Sequence, residues 1–80
     1  MPIVLRCEGF DFRMYFRDHE PAHVHAVKGG GAEVIIWLSD PVAVREIRGT
    51  VSPSNVRRAL EIAQGALAEL IEYWKEVQGR

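Results

Sequence analysis

Every histidine of the 80-residue sequence falls within residues 18–25, which spell DHEPAHVH. His23 and His25 are two residues apart, so on an extended strand their side chains point to the same face with the rings about 6 to 7 Å apart. A loop residue in front of them, such as His19 or Glu20, can fold back over that face. This stretch therefore concentrates the side chains that can bind a metal ion or move protons.

A divalent metal site is the first chemistry that this stretch could support. Zinc accepts three nitrogen or oxygen ligands from a protein and keeps a fourth position for water. The candidate metal ligands are His19, Glu20, His23 and His25. A His-x-His pair is a moderate signal, because outside residues 18–25 the sequence has no further histidine and only one cysteine to complete the set.

Metal-free acid–base attack on a phosphodiester is the second chemistry. It needs one histidine to take a proton, another to give one, and an arginine to stabilise the charge of the transition state. The candidate catalytic residues are Arg13, Tyr15, Arg17, His23 and His25. The third interpretation is a protonation-sensitive or hydrogen-bonding contact surface without catalysis. The residues alone leave enzymatic and non-enzymatic roles open.

Strands must position these side chains, because apolar residues alternate with polar ones over the first half of the chain. The predicted strands cover residues 3–8, 10–17, 23–28 and 32–38, with a shorter fifth strand at 42–47. The apolar side chains expected to face inward are Phe10, Phe12, Met14, Phe16, Val24, Ala26, Val34, Ile36 and Leu38. Sequential strands with short links favour an antiparallel meander of four to five strands.

One long C-terminal helix is predicted next, packed on one face of the sheet in an α+β fold. Ser52 and Pro53 are a typical N-cap and first helical residue. An apolar stripe then recurs every three or four residues, at Val56, Leu60, Ala63, Leu67, Leu70, Trp74 and Val77. The helix would run from residue 53 to 78, about 39 Å at 1.5 Å per residue, with Gly65 as a place for a kink.

Such a helix would overhang the sheet, because a seven-residue strand is only about 23 Å long. The protruding end would need a second surface to cover it, from a homodimer or from a dedicated partner. The predicted partner interface consists of Leu70, Ile71, Trp74 and Val77.

Four arginines form a second candidate binding patch. Arg45, Arg48, Arg57 and Arg58 lie within fourteen residues that contain one acid, Glu46. An anion-binding, RNA-facing or partner-binding patch is one interpretation. A solvated helix face is the commoner meaning of a short charge run.

Composition narrows the class of protein. A net charge of −1 argues against non-specific binding of nucleic acid or of an anionic membrane. Cys7 is the one cysteine, so no internal disulfide can form and a reducing compartment is expected. The apolar start before Arg6 is too short for a signal peptide, and the run 34–38 is too short to span a bilayer. We therefore expect one cytoplasmic domain covering residues 1–80.

The whole sequence resembles a small bacterial family, the domain of unknown function numbered 4160, also labelled DhiT-like toxins of type II toxin–antitoxin pairs. The matching features are the start MPIV, the aromatic strand FRMYF at 12–16, the histidine motif, the glycine turn 29–31 and a C-terminal helix with Trp74. The family commonly has two adjacent prolines in the motif, whereas Ala22 occupies the second place here. The three imidazoles carry over as His19, His23 and His25.

The resemblance implies a toxin-like protein that pairs with a small antitoxin protein. We therefore expect a toxin that acts on RNA or another phosphate-bearing target through its histidine-bearing sheet face. The alternative is a non-enzymatic protein-binding or metal-binding module, dimeric or bound to a partner, with zinc as the expected metal.

Overall fold

The structure is a computed structural model that describes residues 3–79, so Met1, Pro2 and Arg80 lie outside it. Its elements in chain order are β1 (Ile3–Cys7), β2 (Phe10–Arg13), β3 (His23–Lys28), β4 (Glu33–Trp37), β5 (Ala43–Arg48), α1 (Pro53–Gly65) and α2 (Leu67–Gln78). The strands form one antiparallel sheet in the order β1-β2-β3-β4-β5. The predicted α+β meander of five strands is confirmed.

The second strand is shorter than its alternating pattern predicts. β2 ends at Arg13 instead of continuing to Arg17. The chain turns at Phe16 and Arg17, where Arg17 has a left-handed φ of 56°. This turn takes Phe16 away from the core, and its side chain is 51% exposed. The prediction of an inward-facing Phe16 is therefore wrong, and Tyr15 belongs to a loop.

One face of the sheet supplies most of the hydrophobic core. The remaining side chains that were predicted to face inward are all buried there: Phe10, Phe12, Met14, Val24, Ala26, Val34, Ile36 and Leu38. The opposite face is also covered in its centre, where His23, His25 and Ile35 are buried. Buried polar groups need hydrogen-bond partners, so the two histidines call for specific neighbours.

The C-terminal half forms two helices, and the prediction of one long helix is wrong. α1 ends at Gly65, a poor helix former, and Ala66 leaves helical geometry with φ −110° and ψ 15°. The helices both contribute to one core, α1 through Ala59 and Ala63 and α2 through the buried side chains Leu70, Trp74 and Val77.

The break also removes the expected overhang. The longest dimension of the described chain is 33 Å, shorter than the single helix that the stripe predicts. Leu70, Trp74 and Val77 are buried in the core of the chain itself, and Ile71 packs against that core. The reason for expecting a partner on this end of the helix no longer holds.

The start of α1 follows the predicted capping pattern. The Ser52 hydroxyl accepts a hydrogen bond of 3.2 Å from the backbone N–H of Asn55, and Pro53 is the first helical residue. Within residues 3–79, neither helix has the length and apolar character needed to cross a bilayer.

Two glycines give a matched test of the backbone. Gly65 has open space where a Cβ would lie, so Gly65→Ala should raise the free energy of unfolding by about 0.5 to 1 kcal/mol. Gly49 has a φ of +78° and the backbone of Ala32 lies 3.3 Å from the position of its Cβ. Gly49→Ala should therefore lower that free energy by about 1 to 2 kcal/mol. Urea unfolding of both variants measures this, and equal shifts would contradict the account.

Candidate metal centre

The loop between β2 and β3 carries the first residue of the site, Asp18. The side-chain amide of Gln78, at the end of α2, holds this loop by two hydrogen bonds. Its Oε1 accepts from the backbone N–H of Asp18 at 2.9 Å, and its Nε2 donates to the backbone carbonyl of Tyr15 at 2.8 Å. The last turn of the C-terminal helix thus fixes a loop that lies about sixty residues earlier in the chain.

His23 opens β3 and is almost completely buried, with 1% of its surface exposed. Its ring packs against Trp74 and Trp37, with centroids 5.1 and 5.8 Å away. Nδ1 lies 2.8 Å from the carbonyl oxygen of Pro21, and Nε2 lies 2.9 Å from Oδ2 of Asp18. A carbonyl oxygen only accepts hydrogen bonds, so Nδ1 carries a proton, and Nε2 is the ring nitrogen that faces the Asp18 carboxylate.

His25 has the same arrangement one pleat further along β3. Nδ1 lies 2.9 Å from Oε1 of Glu33, a group that accepts hydrogen bonds when ionised. Nε2 lies 3.5 Å from Oδ2 of Asp18, longer than a normal N–H···O hydrogen bond, and has no hydrogen-bond partner among residues 3–79. The side chain is buried, with 8% of its surface exposed. A buried ring nitrogen thus points at a carboxylate without bonding to it.

The two histidines and Asp18 converge on one point. One ligand atom from each residue lies within 4.8 Å of the other two. A tetrahedral zinc ion binds its ligands at about 2.0 to 2.1 Å, which places them roughly 3.3 Å apart. The separations of 2.9 and 3.5 Å between Oδ2 and the two Nε2 atoms bracket that value. These three residues are close enough to hold a metal ion.

Asp18 is in the charged state that a metal ligand needs. Burial raises the pKa of its carboxyl group, but the backbone N–H of His19 and the imidazoles of His23 and His25 outweigh burial, so the pKa is lowered overall. The carboxyl group is therefore ionised at neutral pH. Its Oδ1 accepts the His19 N–H at 2.9 Å, which orients Oδ2 toward the histidines.

An open cavity of about 420 Å³ gives access to this cluster. Its lining consists of Tyr15, Asp18, His19, His25, Arg45 and Arg48. Asp18 and His25 belong to both the cluster and the cavity wall, so an ion bound between them would be in reach of small molecules. His23 forms the inner side of the cluster.

Two of the four residues predicted as metal ligands reach the cluster, namely His23 and His25. The side chain of Glu20 instead accepts a hydrogen bond of 3.3 Å from Nε1 of Trp74. His19 lines the cavity, but its ring is outside the group of converging ligand atoms. Sequence reasoning missed Asp18 as a ligand, although its place beside the histidine motif was a signal.

The three residues predicted to assist the histidines in acid–base catalysis lie at different distances from the cluster and its cavity. Arg13 pairs across the sheet with His25, and its side chain reaches Asp11 at 3.5 Å, while its Nε finds no partner within residues 3–79. The ring of Tyr15 meets the ring of His25 edge-on at 4.5 Å. Arg17 is exposed in the turn after β2. Of the predicted assisting residues, only Tyr15 lines the cavity.

The four predicted anion-binding arginines separate into different places. Arg45 and Arg48, on β5, line the cavity beside the cluster. Arg57 lines an apolar groove between β5 and α1, and Arg58 forms ion pairs with Glu8 and Glu61. Half of the predicted patch therefore faces the histidines.

The two hydrogen bonds from Gln78 to the loop, here called the Gln78 clamp, should affect zinc binding. Gln78→Ala removes both loop hydrogen bonds and should lower zinc affinity about tenfold, the lower range for loss of a group that orients ligands. Gln64 makes a comparable pair of bonds, to the backbone of Val42 and the side chain of Asp40, and so holds the segment after β4 and not the loop that carries Asp18. Gln64→Ala should leave zinc affinity unchanged. Isothermal titration with zinc distinguishes the two, and equal affinities would show that the clamp does not position Asp18.

A family comparison covers most of the chain. The family model described as a domain of unknown function (DUF4160) matches residues 9–75, which include the cluster, all of α1 and most of α2. No curated protein and no solved structure gives a significant match.

Proposed function

The chain belongs to the domain of unknown function family DUF4160, and on that premise we propose that it is a metal-binding protein. Asp18, His23 and His25 would hold one divalent ion of the zinc class. Two imidazole nitrogens and a carboxylate oxygen suit a transition metal. Three protein ligands are also the number found in catalytic zinc sites, which keep a position for water or substrate.

The fixed orientation of both rings is the observation that carries this proposal. Metal-binding histidines usually donate their other N–H to a carbonyl or a carboxylate. His23 donates from Nδ1 to Pro21 and His25 donates from Nδ1 to Glu33. The other nitrogen of each ring, Nε2, then faces the Asp18 carboxylate, so the two Nε2 atoms and Oδ2 are the atoms that would hold an ion.

Metal binding explains the geometry of the site better than metal-free acid–base catalysis does. A general acid or base must reach its substrate within hydrogen-bond distance. His23 is buried and has an acceptor at each ring nitrogen, so it is poorly placed for that task. A bound ion would act as a Lewis acid and would lower the pKa of a bound water.

Zinc titration of tag-free protein tests the proposal. We expect one equivalent of zinc to bind wild type, and His19→Ala to bind it equally, because His19 lies outside the converging atoms. Asp18→Asn should bind it at least about tenfold more weakly. Magnesium, which prefers oxygen ligands and keeps its waters, should not compete. Absence of zinc binding by wild type would overturn the proposal.

We further propose that the metal centre is the effector site of a toxin-like protein, partnered by an antitoxin protein. Support comes from the histidine motif, through which the sequence resembles DhiT-like toxins, and from a cavity that gives access to the cluster. The alternative is a metal-binding module without catalysis, which the same cluster would serve.

Induced expression in a bacterial culture separates these two roles. A toxin should arrest growth as wild type, and it should lose this effect as His23→Ala or His25→Ala when circular dichroism shows a retained fold. Lys75→Ala, at an exposed position of α2 outside the cavity, is the control and should still arrest growth. If folded wild type does not arrest growth, the binding-module role becomes the better account.

A further inference from the structure

The cavity beside the candidate metal centre is built mainly from hydrogen-bond donors. Tyr15, His19, Arg45 and Arg48 surround its mouth, and His25 and Asp18 form its inner wall. Of these side chains only Asp18 is a carboxylate, and Nε2 of each buried histidine faces it. The four side chains at the mouth offer N–H or O–H donors to a ligand in the cavity.

Arg45 is the more available of the two arginines. Its guanidinium lies over the ring of Trp37 at 5.2 Å from the centroid. Within residues 3–79 it forms no ion pair, although seven pairs between an arginine or lysine and a carboxylate are present there. Stacking on an aromatic ring fixes a guanidinium while leaving its donor edge free. Arg45 is therefore held at the cavity with donors to spare.

The positive charge of Arg48 is partly neutralised by two carboxylates. Its Nε donates to Glu46 at 2.8 Å, and its Nη1 lies 3.7 Å from Glu33. The carboxylates that contact the cavity lining, on Asp18, Glu33 and Glu46, thus outnumber the two arginines. A divalent cation on the cluster reverses this balance and makes the cavity positive.

We propose that the metal-loaded cavity binds a phosphate ester, with the phosphate group between the ion and the guanidinium of Arg45, and that the metal-free cavity does not. This inference rests on the metal centre proposed above. Arginine forks bind phosphate oxygens in pairs, and a tetrahedral phosphate has oxygens to spare for the ion as well. The volume of about 420 Å³ lies in the usual range for small-molecule sites and leaves room for a group as large as a nucleoside.

Adenosine 5′-monophosphate is a suitable probe, and isothermal titration the measurement. Zinc-loaded wild type should bind it at least tenfold more tightly than metal-free wild type does. Arg45→Gln should lose at least tenfold of that affinity while binding zinc normally. Arg57→Gln, an exposed arginine of the same sequence cluster that lies in a different groove, should change neither titration.

The other outcomes of these titrations show which part of the proposal fails. If wild type binds no zinc, the metal centre itself fails, and this inference fails with it. If zinc binds but the nucleotide does not, or binds metal-free protein equally well, only the phosphate site is overturned. Equal affinity for adenosine would show that the cavity recognises the nucleoside, and equal affinity for acetate would show a general anion site; either result overturns the phosphate assignment.

Discussion

His25→Ala is expected to lower the zinc affinity of the protein by more than about 100-fold. The substitution removes one of three protein ligands, a larger change than the loss of a supporting residue, which typically lowers metal affinity 10–100-fold. His25 lies on the wall of the open cavity, so water can occupy the vacated space and the fold should persist. Titration with zinc, beside circular dichroism, measures both effects. Wild-type affinity in folded His25→Ala would exclude the proposed ligand set.

Glu33→Ala should lower zinc affinity less than His25→Ala does. Glu33 lies on β4 and accepts the Nδ1 proton of His25 at 2.9 Å. Its removal leaves all three ligands in place but frees the ring to rotate, so zinc affinity should fall about 10–100-fold. If Glu33→Ala loses more zinc affinity than His25→Ala in the same titration, His25 is not the ligand with Glu33 as its supporting residue.

Trp74→Ala should be the most destabilising substitution in α2. Trp74 is 4% exposed, packs in the hydrophobic core, and meets the ring of His23 at 5.1 Å. Truncation of a buried aromatic side chain to alanine lowers the free energy of unfolding by about 3 to 5 kcal/mol. That is a large share of the stability expected for so small a domain. Urea unfolding monitored by circular dichroism measures the change.

Trp74→Phe is the matched control for the indole N–H. It keeps an aromatic ring in the core but removes the donor that bonds to Glu20 at 3.3 Å. The loss of one partly buried hydrogen bond should lower the free energy of unfolding by about 1 kcal/mol, with a further loss from the smaller ring. If Trp74→Ala and Trp74→Phe unfold at the same urea concentration, packing of this ring contributes little and the assigned core is wrong.

The sheet could be predicted because its signal is local. Alternation of apolar and polar side chains sets the faces of a strand, and it correctly placed Val24, Ala26, Val34 and Ile36 in the core. The same pattern failed at Phe16, because β2 ends at Arg13 and the chain turns at Phe16 and Arg17, where Arg17 has a left-handed φ. Apolar spacing does not reveal the backbone angle of the following residue.

The helix break was harder to predict, because the stripe of apolar residues continues through it. Gly65 indicated a weak point, but a kink and a complete break leave the same sequence pattern. What separates them is tertiary packing: α2 buries Leu70 and Trp74 on the core of the chain, which a straight continuation of α1 past the sheet would leave exposed. Packing energy outweighs helix propensity here.

The histidine site was predicted in part. The spacing of His23 and His25 correctly placed both rings on one face of β3. The role of Asp18 depends on how the loop 14–22 folds, and Gln78 controls that fold from the other end of the chain. Contacts of such sequence separation leave no periodic signal.

The burial of the histidines also changes which chemistry is favoured. An exposed pair could serve equally in proton transfer, metal binding or simple contact. The structure buries His23 and orients both rings through their Nδ1 atoms, and these features favour metal binding.

X-ray absorption of the zinc-loaded, tag-free protein identifies the atoms that surround the ion. We expect a first shell of nitrogen and oxygen at about 2.0 to 2.1 Å with the scattering signature of two imidazoles, falling to one imidazole in His25→Ala loaded at high zinc concentration. A spectrum without imidazole scattering, or one that His25→Ala leaves unchanged, would contradict the claim that His23, His25 and Asp18 hold the ion.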